Sequence, residues 1–171
     1  MKVLVTYYTM TGNTEKLAKA IHQEASKCHE SYLQKVDEVK QESLNLHDLI
    51  FVGSPTHAGN LAAPVKKFLG ELPQSPGFKV AAFITHSSPD KREFEQCLKS
   101  FEASSKDKGF AFLGCYDCQG CLAPEIQPYV KEARKASDAE WEEMMKDIAR
   151  RPTAEDMRQA RKFAREVLAR V

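Results

Sequence analysis

Short apolar runs alternate along this chain with stretches in which apolar residues recur at helical spacing. The run that includes Val3, Leu4 and Val5 predicts a first strand over 3–8. Leu17, Ala20, Ile21 and Glu24 fall in one helical register, so a helix is expected over 13–27 with its apolar positions toward a sheet. A weaker strand follows over 31–36, and 37–47 is too polar and short to specify a helix. Residues 49–53 are continuously apolar, as central parallel strands buried on both faces are. A Pro- and Gly-bearing loop over 54–63 then leads to a helix over 64–71. Strands over 80–85 and 110–115 flank a helix over 91–106. Later come a Pro-bearing segment, a charged helix around 138–150, and a last helix. Thr153-Ala154-Glu155-Asp156 caps that last helix, and Met157, Ala160, Phe163, Ala164 and Val167 share one of its faces. Strands alternating with helices predict an α/β fold, a parallel sheet with helices on both faces.

Composition narrows the function classes. At 171 residues the chain can bury a full core, and 42% hydrophobic with 29% charged residues are ordinary globular values. We expect one domain over 1–171 with an additional helical segment at about 137–151. A net charge of +1 gives no strong field, so nucleic acid and membrane are not expected partners. No run of 18 apolar residues is present to span a membrane, and with a strand starting near Lys2 no signal peptide is expected. Five cysteines, an odd number, argue against a secreted disulfide framework, so a cytoplasmic location is expected.

The chemistry gathers where strands end. Thr9-Met10-Thr11-Gly12-Asn13-Thr14 joins the first strand to the first helix. Unpaired N–H groups and the helix dipole favour an anion at such a junction, and Gly12 permits a tight turn and close approach. The set has hydroxyls and an amide but no positive charge. It is neither the G-x-x-x-x-G-K-[ST] of nucleotide P-loops nor the G-x-G-x-x-G of dinucleotide folds. The same residues also suit an ordinary capped helix, since Thr and Asn are common caps. The pattern T-x-T-G-N-T after a first strand resembles the flavodoxin family, whose loop of this kind holds the phosphate of FMN.

A second motif supports that resemblance. Gly53-Ser54-Pro55-Thr56-His57-Ala58-Gly59-Asn60 is similar to the G-[ST]-P-T-x-x-G-N loop of flavodoxin-like proteins and flavin-dependent NAD(P)H:quinone oxidoreductases. The family implies a flavodoxin-like doubly wound five-stranded sheet in order 2-1-3-4-5, with the ligand beyond the strand ends at the switch point. It also implies that the peptide at Gly59 can reorient at the reactive edge of the flavin and tune its potential. A plain strand-to-helix turn with Asn60 as a cap is the alternative. The third loop, 86–91, places Thr85, His86 and Ser87 as the residues closing the other side.

Three features depart from the family. Flavodoxins are commonly acidic, and this chain is nearly neutral. They commonly sandwich the flavin between Trp and Tyr, whereas the only rings in these loops are His57 and His86, and Trp141 lies in a late helix. Either histidine also suits a solvated loop, the better reading for His86. Finally, Cys115-x2-Cys118-x2-Cys121 approaches an iron–sulfur run but lacks its fourth cysteine, and Cys118/Cys121 has the spacing of a redox pair. The family's small C-x-G element after the fifth strand is matched by Cys118-Gln119-Gly120.

The resemblance implies an FMN-binding protein carrying electrons between redox protein partners. The alternative is an enzyme, a reductase using FMN with NAD(P)H and a quinone or free flavin. With the flavin carrying the chemistry, no catalytic side chain and no metal ligand is expected.

Overall fold

Hydrophobic residues on both faces of the central strands give the sheet two helical covers. The computed structural model describes residues 1–88 and 91–171. Its strands are β1 (Lys2–Tyr7), β2 (Glu30–Lys35), β3 (Leu49–His57), β4 (Asn60–Leu61), β5 (Lys79–His86) and β6 (Ala111–Gln119). Its α-helices are α1 (Asn13–Ala25), α2 (Ala63–Glu71), α3 (Lys91–Lys108), α4 (Gln127–Arg134), α5 (Asp138–Ile148) and α6 (Ala154–Leu168). The long strands pair in parallel in the order β2-β1-β3-β5-β6, the doubly wound order expected for five strands. β4 adds a two-residue antiparallel pairing to the end of β3.

Strand alternation divides the core. Val3 and Val5 of β1, Leu49 and Phe51 of β3, and Phe83 of β5 meet Leu17 and Ile21 of α1 and Ala160 and Ala164 of α6. Leu4, Ile50, Val52, Val80 and Ile84 face the other way, onto Val65 and Phe68 of α2 and Phe101 of α3. Full burial of side chains such as Phe51 and Phe101 stabilises by about 1.5–3 kcal/mol each. Gly53 is obligatory at this packing level, because a Cβ there would stand 2.2 Å from the Phe83 ring.

The differences from the sequence expectations lie at strand ends. β3 continues through Pro55, Thr56 and His57 before turning into β4, where a loop from Ser54 is expected. β6 runs on to Gln119 rather than ending near Cys115. A bulge between Val80 and Ala82 of β5, with Gly114 at φ 115°, restores alternation after an extra residue in β6. The segment 37–47 carries a short 3-10 helix at Gln41–Leu46. α4 follows the Pro-bearing stretch that gave no helical signal; Pro128 sits in its first turn, where a missing N–H costs nothing. The charged helix is α5, held by a reciprocal capping box of Ser137 and Glu140. Among the described residues no helix is long and apolar enough to cross a membrane.

Candidate functional site

β1, β3, β5 and β6 end on the same side of the sheet, and the segments that follow them enclose a cavity of about 350 Å³. That lies within the usual range of small-molecule sites. Met10, Thr11 and Asn13 line it from the first loop, Pro55, Thr56, His57 and Ala58 from the second, and Thr85, His86 and Ser87 from the third. Pro89 and Asp90 of the third loop lie outside the described residues.

The first loop is stitched from within. Gly12 caps α1 in the left-handed region, at φ 82°, and no side chain caps the helix. A Cβ at Gly12 would meet no atom within 4 Å, so the space beside this residue is open. Gly12 N–H donates to Thr9 Oγ1 at 3.0 Å, and Asn13 Nδ2 donates to Thr11 Oγ1 at 2.8 Å. As acceptors in these bonds, both threonine hydroxyls keep their hydrogens for another partner. Asn13 Nδ2 also donates to the Cys121 carbonyl at 2.9 Å, and the Thr14 and Thr85 hydroxyls pair at 2.8 Å. Asn13 and Thr14 are buried, so their side chains fasten this loop to its neighbours while their backbone amides start the helix.

The second loop is a hairpin. Ser54 is fully buried; its hydroxyl donates to the Pro55 carbonyl and accepts from Ala62 N–H at 3.0 Å, closing the base of the loop. At the tip both Ala58 (φ 49°) and Gly59 (φ 75°) are left-handed, as a two-residue primed turn requires. Asn60 Nδ2 donates to the Ala58 carbonyl at 3.1 Å, and the Cys97 thiol of α3 lies 3.8 Å from the Gly59 carbonyl. Gly59 and Asn60 therefore shape the tip, and Thr56, His57 and Ala58 face the cavity. His57 meets Tyr8 edge-on at 6.1 Å between ring centroids, and burial holds its pKa below the usual value.

His86 is not a solvated loop residue. Its side chain is 9% exposed, with Nδ1 2.6 Å from the Ser88 carbonyl and Nε2 3.1 Å from Asp117 Oδ2. The third loop is further tied to the end of β6 by Gly120 N–H to the His86 carbonyl at 2.8 Å and Gln119 Nε2 to the Ser87 carbonyl at 3.1 Å.

A fourth wall completes the cavity. Gly120, Cys121, Leu122, Ala123 and Ile126, from the segment after β6, also line it, and the sequence reading assigned them no part in the site. Their signal was the C-x-G element; a Cβ on Gly120 would come 2.7 Å from Asn13 Nδ2. The described lining residues include no Phe, Tyr or Trp. The cysteines do not assemble. Cys115 packs with the α2/α3 layer and Cys118 with the α1/α6 layer, on opposite faces of the sheet. Cys121 turns its thiol to Asn13 Oδ1 at 3.3 Å. Burial raises the Cys115 thiol well above its usual pKa and pushes Cys118 up to about 12, which leaves little reactive thiolate. Among the described residues no cluster of metal-ligating side chains occurs.

A profile of the family described as Flavodoxin domain matches residues 4–165. The chain belongs to the flavodoxin family. A flavodoxin of Aquifex aeolicus is 33% identical over 125 residues, spanning 70% of this chain and 68% of that protein. The flavodoxin-like domain-containing protein BilS of Clostridioides difficile is 28% identical over 139 residues, 80% of this chain and 76% of that one. Among solved structures, oxidised Flavodoxin 2 of Bacillus cereus superposes with a TM-score of 0.69 at 23% identity, each chain fully covered. The family's characteristic ligand is FMN, which the two sequence motifs and the cavity make the group to test against this site.

Proposed function

We propose that this flavodoxin binds FMN at the carboxyl ends of β1, β3 and β5 and passes electrons between redox protein partners in the cytoplasm. The observation that carries the reading is the convergence of the three loops on one cavity whose anion end holds neutral donors. The uncapped α1 amides and the Thr9 and Thr11 hydroxyls, whose hydrogens are not used in the bonds they accept, suit a phosphate, and Gly12 leaves room for it. Asn13 and Thr14 hold that frame from behind. His57, Thr56 and Ala58 would border the ring, with Thr85, His86, Ser87 and the apolar residues after β6 opposite. The flavin, once bound, supplies the electron transfer; the chain binds it, orients it and limits water around it.

FMN titration of the purified protein tests this. We expect FMN fluorescence to be quenched with one-to-one stoichiometry. Gly12→Val should weaken binding at least tenfold, since a β-branched residue is strained by about 1–2 kcal/mol at that φ and fills the open space beside it. Unchanged FMN fluorescence with the wild type would sink the reading.

One observation favours a second reading, an NAD(P)H-dependent quinone or flavin reductase. A cavity without an aromatic sandwich leaves a flavin face open to a small substrate. Catalytic NADPH oxidation with a quinone, above that of free FMN, would select the reductase.

A further inference from the structure

We propose that His86 is held as an imidazolium and that its single positive charge makes FMN bound in this cavity easier to reduce. The inference rests on the FMN reading above. Its foundation is hydrogen bookkeeping. A backbone carbonyl only accepts hydrogen bonds, so the 2.6 Å contact with Ser88 places a hydrogen on Nδ1. An ionised carboxylate also only accepts, so the 3.1 Å contact with Asp117 places one on Nε2. A ring protonated at both nitrogens is a cation.

The surroundings decide how far that charge is felt. The described residues lining the cavity include no Lys, Arg, Asp or Glu; the other titratable side chains there are His57, whose pKa burial holds down, and the Cys121 thiol, which is turned to Asn13 Oδ1. The imidazole is 9% exposed while the Asp117 side chain is 46% exposed, so water screens the carboxylate more than the ring. A further cation is near: Arg134 of α4 reaches Ser88 Oγ at 3.4 Å. The bonds from Gly120 and Gln119 to the carbonyls of His86 and Ser87 tie the backbone that carries the ring to the end of β6.

Two electrons from a donor protein and one proton from solvent leave the flavin with one added negative charge. A fixed cation beside the cavity favours that product over neutral oxidised FMN. A strongly acidic site would oppose it. The net charge of +1 accompanies a local positive charge at the cavity, and the expected consequence is a flavin that prefers full reduction at a less negative potential.

Nitrogen-15 NMR of the imidazoles in FMN-free protein at pH 7.5 tests the charge itself. We expect both His86 nitrogens to carry hydrogen and only one of those in His57. Potentiometric titration of the FMN-loaded protein tests the effect. In His86→Gln the preference for reduced over oxidised FMN should fall about tenfold, about 30 mV for a two-electron couple. Asp117→Asn, which keeps the imidazole but removes its anionic partner, should shift the preference in the same direction by less. A neutral His86 in the free protein overturns the inference, as does an unchanged potential in a His86→Gln variant that still binds oxidised FMN. A wild type with the imidazolium but no affinity for FMN would instead overturn the functional reading, and the charge would have no flavin to act on.

Discussion

The first and second loops of the site solve opposite mechanical problems. The loop between β1 and α1 is tied at several points: Thr9 to Gly12, Thr11 to Asn13, Thr14 to Thr85, and Asn13 to Cys121 across 108 residues of sequence. The hairpin between β3 and β4 is closed at its base by Ser54 and ends in a turn where a non-glycine residue, Ala58, sits at positive φ. One loop gains rigidity from buried and half-buried polar bonds, and the other keeps a strained tip. An anion site needs fixed donors, because its contribution comes from dipoles already pointing at the charge. The edge of a redox ring is better served by a peptide that can change partners, and strain lowers the cost of leaving one conformation.

The largest test of this contrast is at Gly120, which backs the stitched side. In Gly120→Ala the new Cβ would land 2.7 Å from Asn13 Nδ2 and 2.9 Å from its Cγ. Asn13 is 4% exposed and cannot move aside without giving up bonds to Thr11 and the Cys121 carbonyl. Stranding such buried groups costs about 1–3 kcal/mol each. Urea denaturation should show a loss of that size, and FMN affinity should fall by tenfold or more. Normal stability with normal FMN binding would mean that the ties around Asn13 do not hold the site.

The two regions also differed in how much their sequence disclosed. The stitched loop and its helix were readable because Gly12, the threonines and Asn13 have local roles that follow from a strand ending and a helix starting. Sheet order was readable for a similar reason, since continuous apolar runs at 49–53 and 80–85 mark central strands. The hairpin was not. Pro55, Thr56 and His57 resemble a loop, and their pairing depends on where Asn60 and Leu61 return in space. The far end of β6 was hidden because Asp117 and Gln119 break the apolar pattern; they point their polar groups at His86 and at the Ser87 carbonyl. His86 was read as solvated for the same reason: Ser88 is local, but Asp117 is 31 residues away. The fourth wall and the histidine's partners are products of tertiary structure.

A smaller effect is expected at the hairpin tip. Ala58→Gly removes the steric cost of a Cβ at φ 49°. It also adds conformational freedom to the unfolded chain, which offsets about 0.4–1 kcal/mol of the gain. Thermal denaturation should show a change of no more than about 1 kcal/mol, in the stabilising direction. Ala58→Val should destabilise instead, because a branched side chain is worse at that φ. Equal stability of all three proteins would show that the tip stores no strain, and the mechanical contrast would fail.

The smallest effect separates the loops by pH. The first loop has no titratable side chain between Thr9 and Thr14, whereas the hairpin carries His57. Burial lowers the His57 pKa in the folded protein below its ordinary value of about 6.5. Between the folded and unfolded values the unfolded chain binds more protons, so stability rises with pH across that window. Above about 6.5 the histidine is neutral in both states and contributes no slope. The His57 contribution should therefore lower stability as pH drops below that value. His22, whose pKa burial also lowers, adds to the same slope from the far end of α1. The comparison needed is the difference between pH 7.5 and pH 5.5, taken for the wild type and for His57→Asn. Loss of the edge-on contact with Tyr8 lowers the variant's stability at both pH values and cancels in that difference. A smaller acid-induced loss in the variant identifies His57 as a titrating group of the strained loop. An identical loss would show that His57 contributes no slope and leave the hairpin as insensitive to pH as the loop that faces it.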